Sequence, residues 1–285
     1  MTGDDSWLST VPTGAGRGPA LLSTQRRVHA GLRLGELLRR RPPGLTGNQW
    51  STASRTLLDQ VVCAADTGRP EFAVELRPPS PDSAARRAER TTEAVVTAIG
   101  LPLLRIASAT LRAAEHGPRI AGYVIDARRY AEGADASAQS YVEFRDIVGR
   151  LPDGRDGAVN DLGVLARVEA VEAYVARRLT DPILRGLHVY WAQGPAEGWS
   201  WAEVRPGGFL VERVTLCAYG LHCGIDLARF AEDLAVLAVG ERLRKLETET
   251  PTLVSREELL RAIRGLRARQ DDLVDTFAYD HLCQD

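Results

Sequence analysis

Two acidic residues stand where a solvated charge would not. Asp59 lies among Leu57, Leu58, Val61 and Val62, and Glu75 follows Phe72, Ala73 and Val74. A carboxylate in an apolar run is costly to bury unless it is paired or binds a cation. Two of them on neighbouring strands converge on one point. Oxygen ligands of this kind suit Mg²⁺, and a metal held by carboxylates can activate water to cleave a phosphodiester. The plain alternative is ion pairing, of Asp59 with Arg55, Arg77 or Arg105 and of Glu75 with one of the same.

The surrounding elements must bring these groups together. Thr56–Ala65 and Glu71–Arg77 read as the two buried strands of an antiparallel hairpin, joined at Asp66-Thr67-Gly68 and ended by Pro78, Pro79 and Pro81. Asp82 or Ser83 caps a helix running to Ile99, with Gly100 at its C-terminal position. Leu101–Ile106 reads as a buried strand and Pro118–Tyr130 as a helix. Upstream, Ser23–Arg41 reads as a helix, with Val28, Leu32, Leu34, Leu37 and Leu38 forming a displaced apolar stripe. Its outer face carries Arg26, Arg27, Arg33, Arg39, Arg40 and Arg41. Arg26, Arg33 and Arg40 on that face are candidate nucleic-acid contacts, although an arginine face is more simply a solvated one. The order helix, strand, strand, helix, strand, helix favours a mixed sheet whose last strand is parallel.

An acidic residue on one strand, a turn, and then Glu-x-Lys or Glu-x-Asp on the next resembles the PD-(D/E)XK, or restriction-endonuclease-like, superfamily. The likeness is to the bacterial subgroup near the very-short-patch-repair endonucleases and a related domain of unknown function. Asp59-Gln60-Val61, Ala73-Val74-Glu75-Leu76-Arg77, Ala88-Glu89-Arg90-Thr91 and Gly100-Leu101-Pro102-Leu103-Leu104-Arg105 carry it, over residues 22–130. The resemblance implies a mixed sheet flanked by helices, with Asp59 and Glu75 holding Mg²⁺ and Arg77 at the scissile phosphate. The chain departs from the pattern at three places. Arg77 stands where Lys or Asp is usual, Thr91 where Asp is common, and Pro78-Pro79-Ser80 replaces a Gly/His loop. Arginine stays charged and cannot take a proton from water at neutral pH. Lys245 is the chain's single lysine, so no lysine near the hairpin substitutes for it.

The remainder reads as a second, α+β domain. Residues 1–20, rich in Gly, Pro, Ser and Thr, read as a disordered tail; 21–131 form the first domain; 132–140 are a linker; 141–285 form the second domain, whose role the sequence does not give. Tyr141–Gly157 is ambiguous, a candidate docking segment. Helices are expected at Asn160–Leu179, Asp226–Leu246 and Ser255–Arg269, the last with a Ser255/Glu258 capping box. Gly186–Trp191, Gly198–Arg205 and Phe209–Tyr219 read as an antiparallel meander. Trp191, Trp199 and Trp201, with Tyr190 and Phe209, form either a stacking platform or, more simply, a small core.

Residues 1–132 hold 18 arginines against 13 acids, and the rest 18 basic residues against 25 acids, so a basic half precedes an acidic one. That weakly suggests DNA or RNA as partner of the first half. Cys63, Cys217, Cys223 and Cys283 are spread out and read as free thiols in a reducing compartment; Cys217, His222 and Cys223 lack zinc-site spacing. No run reaches the roughly 20 apolar residues of a membrane helix, and Met1–Pro19 lacks the apolar core of a signal peptide. A cytoplasmic location with no membrane partner is the expectation. No phosphate-binding glycine loop or nucleophile elbow is present. The sequence therefore supports a nucleic-acid-associated protein with an incomplete nuclease-like triad, Mg²⁺-dependent if it cuts. The alternative is a non-catalytic scaffold or regulatory module that binds a protein partner through its second domain.

Overall fold

The computed structural model describes residues 7–17, 21–23, 25–79, 82–133 and 143–274. The chain divides into two units. Unit 1 is residues 1–126 with 217–222, and unit 2 is 127–216 with 223–285.

Unit 1 is built on a mixed sheet. Its strands are β1 (Leu21–Ser23), β2 (Arg26–Arg33), β3 (Leu57–Ala64), β4 (Pro70–Arg77) and β5 (Leu103–Ala107), side by side in chain order. All neighbours are antiparallel except β4 and β5. The parallel pair follows from the intervening helix α2 (Ser83–Ile99), which carries the chain back across the sheet. Asp82 caps α2 through the N–H of Ala84, and Gly100 closes it in the left-handed region, φ 67°. The short helices α1 (Gly47–Ser54) and α3 (Ala109–Ala113) and the longer α4 (Gly117–Gly133) complete the order. The unit division falls inside α4, after Asp126. The core joins Leu58, Val61 and Ala73 of the sheet to Val95, Val96 and Ile99 of α2.

The structure corrects two expectations. The described residues of 23–41 do not form the expected helix: β2 hydrogen-bonds along β3, and a 3-10 turn follows at Leu34–Leu37. The four-residue spacing of Val28 and Leu32 puts both on one face of a strand as readily as of a helix, and Gly31 sits at φ 68°, outside helical geometry. The described part of the tail is ordered. Leu8 bridges Leu38, and the Val11 N–H donates to the Gly68 carbonyl, burying both side chains. Residues 1–6 and 18–20 of that tail, 134–140 of the linker and Cys283 lie outside the described residues. Tyr141–Gly157 resolves, from residue 143, into a hairpin of β6 (Val148–Arg150) and β7 (Asp156–Ala158).

In unit 2, β8 (Arg185–Tyr190), β9 (Ala196–Arg205) and β10 (Gly208–Tyr219) form the expected antiparallel meander. β11 (Val254–Ser255) pairs with the start of β10. The last residues of β10, Cys217–Tyr219, belong to unit 1. Helix α5 (Val164–Val175) packs on α6 (Leu227–Arg244), which crosses one face of β8 and β9. That crossing is close because Gly198 has no side chain; a Cβ there would lie 2.1 Å from the Ala231 carbonyl carbon. The other face carries Leu187, Val189, Trp199, Trp201 and Phe209 against Leu259, Leu260, Ile263 and Leu266 of α7 (Arg256–Arg267). Ser255 and Glu258 form the capping box at the start of α7. Among the described residues, no helix is long and apolar enough to cross a membrane.

Candidate active site

The hairpin register brings Asp59 and Glu75 to one face. Val61 lies opposite Ala73, and two residues further along each strand the side chains return to the same side. Asp59 is engaged by the backbone of the next strand: its Oδ2 accepts the Leu76 N–H at 2.6 Å. Burial pushes its carboxyl above the usual range and nearby Glu75 adds to this, while the Leu76 N–H and Arg112 of α3 pull against it.

Glu75 is met by an arginine. It lies opposite Arg105 in the parallel β4–β5 register, and Arg105 Nε stands 2.6 Å from Glu75 Oε2. Arg105 is only 2% exposed. Its Nη1 donates to the Tyr219 hydroxyl at 3.2 Å, and its guanidinium carbon lies 5.2 Å from the Tyr219 ring centroid. Burial alone would disfavour the charge on Arg105, but Glu75 and Tyr219 more than offset it and raise its pKa. Burial also raises the Tyr219 hydroxyl and, beside it, the Cys217 thiol, so neither ionises readily. Arg77 turns to Glu89 of α2 as an ion pair.

Arg105 sets a fixed positive charge beside Glu75, which opposes a second cation at that carboxylate. One Glu75 oxygen, Oε2, holds the Arg105 guanidinium, and Arg77 is paired with Glu89 of α2. Among the described residues, no three His, Cys, Asp or Glu side chains are grouped to hold a metal. Cys63, Cys217 and Cys223 are free thiols.

The three candidate nucleic-acid arginines are not gathered. Arg26 and Arg33 stand at opposite ends of β2, roughly 20 Å apart at strand rise. Arg26 Nε is 2.7 Å from Glu71. Arg33 is exposed, and Arg40 lies 4.5 Å over the Trp7 ring. In unit 2, Trp199 and Trp201 are core residues, as is Phe209, while Trp191 is only partly buried.

Sequence reasoning leaves Arg105 as one of several partners for the two acids. A sharper signal exists, since Arg105 is the one charged residue in the apolar run Leu101–Ile106. Tyr219 and Glu89 have no such signal, because their roles depend on the fold. No known protein family, curated protein or solved structure matches the chain.

Proposed function

We propose that unit 1 is a nuclease-like, nucleic-acid-associated domain that binds DNA or RNA without hydrolysing it. The observation that carries this reading is Arg105 on Glu75. A positive guanidinium takes the position in which a nuclease of this pattern would use Mg²⁺, and it neutralises the same carboxylate. The hairpin with Asp59 and Glu75 on one face, then α2, then a parallel strand carrying Arg105 at its centre supports the restriction-endonuclease-like likeness. Arg33 and Arg40, with Arg41, Arg87 and Arg90, are exposed in the same unit and available to phosphates.

Fluorescence anisotropy with labelled duplex DNA and RNA tests it. Binding whose affinity falls steeply and log-linearly with salt is expected, weakened by Arg33→Ala together with Arg40→Ala. Absence of salt-dependent binding would favour the second reading, a protein-interaction scaffold. That reading has its own support in α5, where Val171, Tyr174 and Val175 are exposed together on one helix face.

A further inference from the structure

Unit 2 has an open cavity of about 570 Å³, lined by the turn that joins β8 to β9, by β10 and by the segment after α7. Two arginines face it, and both are held in the same manner. Arg213 lies 4.8 Å over the Trp199 ring with its Nε 2.5 Å from Glu197. Arg269 lies 4.1 Å over the Trp191 ring with its Nε 3.1 Å from Asp272. Stacking fixes the plane of each guanidinium and the Nε contact fixes its rotation, so each Nη edge is presented in a set direction. The acceptors are already engaged. Glu197, buried at the base, also accepts the Trp191 indole N–H at 3.1 Å and the Trp199 indole N–H at 2.5 Å. Asp272 holds Arg269. Toward the cavity this leaves two planar donor forks and, from Asp271, one unpartnered carboxylate.

We propose that this cavity binds a phosphate ester of nucleotide size, its phosphate oxygens on the Nη edges of Arg213 and Arg269. Arginine forks match phosphate in a bidentate way that a point charge does not, and the volume lies in the small-molecule range. Among the described residues, Asp271 on the rim is the one acid in the lining without a cationic partner. It opposes an anion and favours a cation, which makes it a test of sign.

Isothermal titration calorimetry on the full chain, with adenosine 5′-monophosphate as the probe and adenosine as its uncharged control, decides the matter. Saturable binding of the monophosphate is expected, with adenosine weaker by about tenfold or more, the worth of a charge-assisted contact. Arg269 is 60% exposed, so Arg269→Ala leaves the core intact and should weaken the monophosphate by a similar factor. Asp271→Asn should tighten it. The proposal is overturned if the monophosphate does not bind at millimolar concentration, if it binds no better than adenosine, if Arg269→Ala has no effect, or if Asp271→Asn weakens binding.

Discussion

Arg105 and Glu75 are cross-strand neighbours in the parallel β4–β5 register, and the guanidinium Nε reaches the carboxylate at 2.6 Å. The arginine is almost wholly buried and the Glu75 side chain is 15% exposed. Removing one partner of a buried pair leaves the other charge unpaired, at a cost of about 3–5 kcal/mol. Arg105→Ala should therefore destabilise unit 1 by about 3 kcal/mol, the low end because Glu75 retains some water. Arg105→Leu with Glu75→Leu should recover much of the loss, since an apolar pair removes both desolvation costs. Urea denaturation of the single and double variants measures both effects; equal losses in the two would mean that the pair is not the source.

A second buried pair gives a pH dependence. Asp233 of α6 is 1% exposed, with Arg145 Nη2 3.3 Å from its Oδ1. Burial pushes its carboxyl from 3.8 up to about 7, and Asp161 and Glu232 add to this, while Arg145 and Arg167 oppose it. A carboxyl raised on folding contributes stability through its protonated form. That contribution is fully present below the unfolded value and is lost as pH rises through the folded one. Asp233→Asn mimics the neutral form at every pH. Melting temperatures from pH 4 to 8 should show the variant gaining on the wild type as pH rises toward about 7, the folded-state value. A constant difference across that range would contradict the shift.

The α6–β9 contact rests on Gly198. An added Cβ would meet the Ala231 carbonyl carbon and the Glu232 amide nitrogen, each at 2.1 Å. Both are backbone atoms within a helix, so neither can rotate away. Gly198→Ala should force the helix off the sheet and cost about 3 kcal/mol, the upper range for overpacking. Gly207, also in this unit, has open space around its Cβ position but a φ of 70°, so Gly207→Ala should cost less, through backbone strain alone. Thermal denaturation of the two variants ranks them, and the reverse order would contradict a close α6–β9 crossing at Gly198.

Elements whose signals are local were legible in the sequence. The β3–β4 hairpin, α2 between Asp82 and Gly100, the meander and the capped α7 each carry their own turn or cap residues. The strand β2 reads as helix because its apolar spacing fits two periods and its strand character comes from a partner, β3, that lies over twenty residues away. Helix α1 escapes notice although Thr46 and Gln49 form a capping box at its start; its apolar content is too small to show a stripe. At the site, the convergence of Asp59 and Glu75 could be read from alternation alone. The identity of their neighbours could not. Tyr219 reaches Arg105 from 114 residues further along, and no spacing rule anticipates that contact.

If Arg105 stands in for a metal, unit 1 does not cut. Incubation of the purified chain with DNA and RNA substrates in Mg²⁺ and in Mn²⁺, beside Glu75→Ala, tests this most directly. Intact substrates are expected in every lane. Cleavage by the wild type that disappears in a folded Glu75→Ala variant would contradict the assignment, and would mean that Arg105 yields Glu75 to a cation.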